Sequence, residues 1–210
     1  MDLRPPAGAP GLGRRERNKQ RVRERLYTAA VDLFVAKGYD HTSIEDIVEL
    51  ADVARGTFFN YFQRKEDLIT AWNERRRNSL VVLLTESQYG STSAVDQLNR
   101  CVTVLAQLNW AERELTVAML TAWGKAGRPI LQEPYLAQTF TRIVQAGVAQ
   151  GELRPEPSPE RVGNTLHDLY LGALYRWAGE PGPAAPEALT EELLGALRLL
   201  LDGIALPVER

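Results

Sequence analysis

Cysteine is nearly absent from this sequence of 210 residues, with Cys101 standing alone. A single thiol excludes an intramolecular disulfide and any zinc or iron–sulfur centre built on several thiolates. Histidine is as scarce: His41 and His167 are the only two, and neither stands at metal-ligand spacing. A small helical enzyme would need a nucleophile and a base, and nothing in Asn99-Arg100-Cys101-Val102 would activate the thiol. Neither an enzyme nor a cofactor is expected. Long apolar runs are also missing. The longest, Leu80 to Leu84 and Leu199 to Leu201, fall far short of the ~20 residues that span a bilayer. No apolar stretch follows the first basic residues, so no signal peptide is expected. The expected compartment is the cytoplasm, without membrane association. Sustained apolar/polar alternation and hairpin turn signals are lacking, which argues against a sheet.

What is present is a globular composition, 44% hydrophobic and 25% charged. The length fits one domain or two small ones. The net charge of −2 hides a gradient. Residues 1–77 carry 15 basic and 12 acidic side chains, whereas residues 78–210 carry 10 and 15. Seven basic residues fall between Arg14 and Arg25, against Glu16 and Glu24. A basic front end on an acidic body is the footprint of a protein that meets a polyanion with one end.

Residues 1–17 read as a disordered basic arm, rich at its start in Pro and Gly with little to bury. From about Asn18, Val22, Leu26, Ala29, Ala30, Leu33 and Phe34 follow helical spacing, and Gly38 stops the helix. Thr42 and Ser43 open a second helix, with Glu45 and Asp46 at capping-box spacing. A third runs over about Ala54 to Phe62, and a fourth from near Lys65 to about Glu86, with Leu68, Ile69 and Trp72 inward and the Arg75–Arg77 triplet toward solvent. Further helices are predicted over about Ala94–Trp110, Arg113–Gly124, Pro129–Gln150, Pro159–Ala178 and Glu187–Ala205, with Gly- and Pro-rich breaks between most of them. The fold class is therefore all-α, about nine helices in total. A first helical domain is expected over 18–65 and a second over 66–210.

The stretch 42–68 reads TSIEDIVELADVARGTFFNYFQRKEDL. Two short helices meet at a tight turn, and the second begins in small and polar residues. That is a helix-turn-helix, over about 43–62, whose second helix enters the major groove N-terminus first. Ala51 is small enough for a close crossing. Asp52 suits a left-handed turn. Gly56 leaves backbone open to DNA.

Gly38, Thr42, the Ile47/Ala51/Val53 spacing, the block Gly56-Thr57-Phe58-Phe59-Asn60-Tyr61-Phe62 and Lys65-Glu66-Asp67-Leu68 together resemble the DNA-binding domain of the tetracycline-repressor (TetR) family of bacterial regulators. The resemblance covers about residues 20–80. Gly151-Glu152-Leu153-Arg154-Pro155, followed by a helix with Tyr170-Leu171-Gly172, is similar to a C-terminal pattern of that family.

The resemblance implies a homodimeric repressor on a near-palindromic operator in double-stranded DNA, released by a small-molecule effector whose identity the sequence does not carry. It implies phosphate contacts from Thr42, Tyr61 and Lys65, with Ser43 beside Thr42 at the helix start. Arg55, Thr57 and Asn60 become the base readers, since Arg bonds guanine, Asn adenine, and a Thr methyl meets a thymine methyl. Phe59 stands where a Tyr is usual and offers an apolar contact instead. Arg14 and Arg15 are candidates for a minor-groove arm. Asp52 replaces a turn glycine and Ala54 a capping Ser or Thr, with Asp52 as the substitute cap. On these departures a second reading rests: a helical ligand- or partner-binding protein with a weakened DNA-binding domain.

For the C-terminal domain the resemblance implies an apolar effector pocket. Trp110, Met119, Trp123, Tyr135 and Phe140 are its candidate walls, with His167 and Tyr170 from a later helix. The last two helices carry apolar stripes suited to a four-helix dimer bundle. Leu166, Leu169, Ala173 and Trp177 mark one stripe, and Leu193, Leu197, Leu200 and Leu201 the other. Ligand binding would displace the fourth helix and alter the separation of the paired recognition helices.

Overall fold

In the computed structural model the described residues are 13–86, 93–126, 135–180, 185 and 187–202, and among them there are nine helices and no strand. The chain parts into two compact units, one ending at Leu68 and the other beginning at Ile69.

The first unit holds α1 (Arg14–Lys37), α2 (Ile44–Leu50) and α3 (Arg55–Phe59). Helix α1 starts at Arg14 and not near Asn18, so Arg14 and Arg15 stand on a helix and not in an arm. Residues 1–12 lie outside the described residues. The apolar period marks where α1 begins to be buried, but the helix starts earlier, because Arg, Glu, Lys and Gln hold helix well in solvent. Leu26, Ala30 and Phe34 then pack with Ile47, Phe58 and Phe62 as the core of this unit. Gly38 takes φ +84 just past α1, a backbone region costly for any other residue, and its N–H donates to the Phe34 carbonyl at 3.1 Å. Asp52 also adopts positive φ, +49, at the α2–α3 turn. Helix α3 is shorter than expected, since the backbone turns off at Asn60.

Helix α4 (Glu66–Glu86) begins in the first unit and continues into the second. The second unit adds α5 (Ala94–Ala111), α6 (Arg113–Lys125), α7 (Tyr135–Ala149), α8 (Pro159–Gly179) and α9 (Ala188–Asp202). The expected starts of α7 at Pro129 and end of α9 at Ala205 fall outside the described residues. The core gathers Leu98 and Cys101 of α5, Phe140 of α7, Leu166 and Trp177 of α8, and Leu193 of α9. Helices α7 and α8 approach closely because Gly163 has no side chain: a Cβ there would lie 2.7 Å from the Ala137 carbonyl oxygen and 2.9 Å from the Thr141 nitrogen. Helix α5 is capped twice at its N-terminus. Ser93 accepts from Asp96 N, and the Glu152 carboxylate, from the turn after α7, accepts from the backbone N–H of Ala94 and of Val95.

The expected dimer stripes prove to be largely core. Leu166, Ala173, Trp177, Leu193 and Leu197 are buried inside the chain, while Leu169, Leu200 and Leu201 are half-buried. A helix shows one apolar stripe to sequence reading, and in α8 and α9 that stripe faces the chain's own core. Tyr175 and Leu199 are the large apolar side chains these two helices leave exposed.

Candidate nucleic-acid interface and ligand cavity

The first unit places its helix-turn-helix by hydrogen bonds at helix ends. Ser43 accepts from Asp46 N at 3.1 Å, and the Asp46 carboxylate accepts from Ser43 N at 2.7 Å, a reciprocal capping box. The Ser43 hydroxyl also donates to Asp46 at 2.6 Å, so its capacity is taken up locally. The Lys37 ammonium at 2.8 Å, then the Ser43 hydroxyl and N–H, hold the Asp46 carboxyl well below the usual carboxylate range.

Thr42 does not have the role that the resemblance implies for its hydroxyl. It is 1% exposed and donates to the Gly38 carbonyl at 2.8 Å, closing the α1–α2 turn. Lys65 departs in a similar way. Its ammonium donates to the carbonyls of Tyr39 at 2.7 Å and Thr42 at 2.9 Å, and lies 4.0 Å from the centre of the Tyr39 ring. Burial pushes its pKa down. Both residues therefore organise the approach to α2. The resemblance implies that both side chains meet phosphate; sequence alone does not separate a phosphate ligand from a carbonyl ligand at such positions.

Arg25, which sequence reading left among the general basic residues, fixes the turn itself. Its guanidinium donates to the Ala51 carbonyl, to the Asp52 carbonyl at 2.8 Å and to the Asp52 carboxylate at 3.3 Å. Asp52 therefore pairs with α1, and α3 has no side-chain cap from Asp52 or from Ala54. On α3 and the turn after it, Arg55, Gly56, Phe59 and Asn60 are exposed, and Thr57 and Tyr61 are half-buried. Phe59 is 47% exposed although Phe58 and Phe62 beside it are core. Arg55 pairs with Glu45 of α2 at 2.8 Å, both well exposed. An exposed ion pair of this kind contributes little to stability and exchanges readily for a phosphate or a base edge.

The second unit holds a partly open cavity of about 470 Å³. Of the expected wall residues, Trp123, Tyr135, His167 and Tyr170 line it. Met119 and Phe140 are fully buried in the core, and Trp110 packs partly buried against that core. Trp72, Asn73 and Arg76 of α4 also line it, as does Asn109 of α5. Arg76 overturns the expectation of a solvent-facing Arg75–Arg77 triplet, because its side chain is only 14% exposed. It bonds Leu108 O at 2.7 Å, Thr116 Oγ1 at 2.8 Å and the Asn109 side-chain oxygen. Arg76 stands four residues after Trp72 on one helix face, so the signal was present in the spacing, but a run of three arginines masked it. Burial lowers the His167 pKa, partly offset by Asp168 at 3.7 Å, which favours the neutral imidazole. Cys101 is buried in the core and its thiol is pushed up to about 12 by that burial, so it is no nucleophile at neutral pH.

A three-helix reading head with an exposed recognition helix, joined to a helical domain with an internal cavity, defines the class of ligand-responsive helix-turn-helix regulators. The model of the N-terminal domain of bacterial TetR-family regulatory proteins matches residues 26–72, and that of the C-terminal domain of TetR/AcrR family transcriptional repressors matches residues 82–203. The chain belongs to the TetR/AcrR family of transcriptional regulators, DNA-binding repressors modulated by small molecules. It is similar to the regulator TcmR of Streptomyces glaucescens, 43% identical over 58 residues, which cover 28% of this chain and 26% of that protein. It is also similar to the repressor KstR2 of Mycolicibacterium smegmatis, 24% identical over 87% of this chain and 90% of that one. Thermus thermophilus FadR, a TetR-family repressor solved with lauroyl-CoA, is 32% identical, with a TM-score of 0.70 over 90% of this chain and 99% of that chain. Among the described residues no helix is long and apolar enough to cross a membrane.

Proposed function

We propose that this chain is a cytoplasmic homodimeric repressor that releases a near-palindromic operator when a small, largely apolar molecule fills the cavity of its C-terminal domain. The observation that carries the effector reading is the cavity, whose wall includes Trp72, Asn73 and Arg76 of α4. The operator reading draws support from the exposed set Arg55, Gly56, Phe59 and Asn60. A ligand against α4 acts on the helix whose first residues lie in the DNA-binding unit. Release requires that the ligand bind the two states unequally, and DNA must then weaken ligand binding by the same factor. The dimer surface proposed is the outer side of α8 and α9, where Tyr175 and Leu199 are exposed and Leu169 is half-buried.

The test is selection of bound duplexes from a random library, followed by titration at two salt concentrations and then with lauroyl-CoA, the ligand solved with the Thermus relative. A two-fold symmetric motif, bound more weakly at higher salt and released by lauroyl-CoA or by an apolar ligand, is the expected result. Asn60→Ala should relax preference at particular base pairs by about 1–3 kcal/mol. Tyr61→Phe should weaken all sequences alike. Weak binding with no enriched motif, with and without ligand, would replace this reading with a scaffold role for the helix-turn-helix.

A further inference from the structure

The cavity's own hydrogen-bond directions limit what it can hold; the argument rests on the effector reading above. A guanidinium only donates. Arg76 Nη2 donates to the Asn109 side-chain oxygen and to Thr116 Oγ1, so the Asn109 amide oxygen is turned to Arg76. The Asn109 Nδ2 is thereby turned the other way, and donates to Leu105 O at 2.7 Å and to the Tyr170 hydroxyl at 3.0 Å. The Tyr170 oxygen is an acceptor in that bond, which leaves its own proton to be donated elsewhere. Among the described residues no acceptor takes it. Tyr135, in the same cavity wall, likewise has a hydroxyl with no acceptor among the described residues.

Both phenols are held in the donor form. Burial pushes their pKa values up, and each is raised further by neighbouring groups that would become anionic, against the opposing pull of Arg76. The Arg76 charge stands behind the wall with one carboxylate partner, Glu112 at 3.2 Å, itself more than half exposed. Of the wall residues with side-chain acceptors, Asn164 and Asp168 are exposed, Asp168 to 80% and 3.7 Å from His167, whose neutral ring keeps one acceptor nitrogen. Around Arg76 and the two phenols the wall therefore presents donors and positive charge, and its apolar surface is Trp72, Trp123 and leucines.

We infer that the cavity selects its effector by an acceptor oxygen (a carboxylate, phenolate or ketone on an apolar, ring-sized body) held by the Tyr135 and Tyr170 hydroxyls. The two rings with their hydroxyls are specificity-determining residues. The hydroxyl of Tyr170 that holds the ligand is bonded to the amide that holds Arg76 of α4, so the oxygen of the ligand and the position of α4 are read by one chain of bonds.

Three probes of one shape separate the possibilities: 2-naphthoate, 2-acetonaphthone and 2-ethylnaphthalene, titrated into the full chain by tryptophan fluorescence. Wild type should bind the first two at least about tenfold more tightly than the hydrocarbon. The Tyr135→Phe/Tyr170→Phe variant should bind all three alike, with its affinity for 2-ethylnaphthalene unchanged, which also reports that its cavity is intact. Equal binding of the three probes by wild type, or an oxygen preference that survives in the double variant, would overturn the inference and leave the effector reading standing. Binding of none of the three, nor of lauroyl-CoA, would overturn both.

Discussion

In the N-terminal unit polar side chains hold carbonyls or N–H groups at helix ends and turns: Arg25, from the middle of α1, on Ala51 and Asp52, Ser43 and Asp46 on each other, Lys65 on Tyr39 and Thr42. In the C-terminal unit Arg76, Asn109, Thr116 and Tyr170 bond one another from within helices, beside a cavity. Polar groups at ends fix where short helices stop, which a reading head needs for a constant shape. Polar groups within helices are retained only where they complete one another, since an unpaired one costs the full desolvation of that group. They border a cavity with defined donors, which an effector site needs.

One glycine from each unit gives the widest contrast. Gly163→Ala places a methyl group against the Thr141 hydroxyl, which can rotate aside, and against the Ala137 carbonyl and Thr141 nitrogen of the α7 backbone, which cannot. We expect a loss of about 3 kcal/mol, the upper end of overpacking costs, seen as a lowered denaturation midpoint. Gly56 stands in open space on α3. Gly56→Ala should raise stability by roughly 0.5–1 kcal/mol, because alanine loses less backbone freedom in a helix, and yet weaken DNA binding. Equal destabilisation by the two substitutions would contradict the division drawn between a packed unit and an open recognition surface.

Next in size is the internal network. Asn109→Leu removes the acceptor for Arg76 and the donor for Tyr170 without removing volume, and should cost about 2 kcal/mol through the polar groups left unsatisfied. Asn109→Leu/Arg76→Met should recover part of that loss, since the second change removes the orphaned charge. Additive losses would mean that the two side chains are not coupled.

These two experiments also mark what was legible beforehand. The reading head could be read because its signals are local: Gly38 and Asp52 at turns, Ser43 and Asp46 three residues apart, and a helix-turn-helix block with a family resemblance. The start of α1 and the end of α3 were misplaced, the first because burial and helix do not begin together. In the cavity, Trp123, Tyr135, His167 and Tyr170 were identified as aromatic or polar residues on the right helices. Arg76 and Asn109 were missed because their meaning lies in contacts 33 residues apart. Periodicity gave the buried faces of α8 and α9 but not which neighbour buries them, so core leucines were read as a dimer surface.

The smallest effect sharpens the comparison from the side of charge. Asp46 is an end-of-helix carboxylate, held ionised by Lys37 and Ser43. Its folded-state pKa lies below the ~3.9 of an unfolded aspartate, so its contribution is complete above that value and is lost as the pH falls below it. Asp46→Asn keeps a polar cap and removes the charge. Wild type should therefore exceed the variant in stability at pH 7, and the gap should begin to narrow below about pH 4 and go on narrowing as the pH falls toward the folded-state pKa. His167, in the other unit, predicts a different window, because burial lowers its pKa and the neutral ring is the form the fold prefers. Protonation then opposes folding, and His167→Gln should gain on wild type as the pH falls through about 6.5. Denaturant midpoints of wild type and both variants at pH 7, 5.5 and 3 distinguish the two: a gap for Asp46→Asn that is already closed at pH 5.5, or one that persists unchanged at pH 3, would remove the capping box from the account of how the reading head is held.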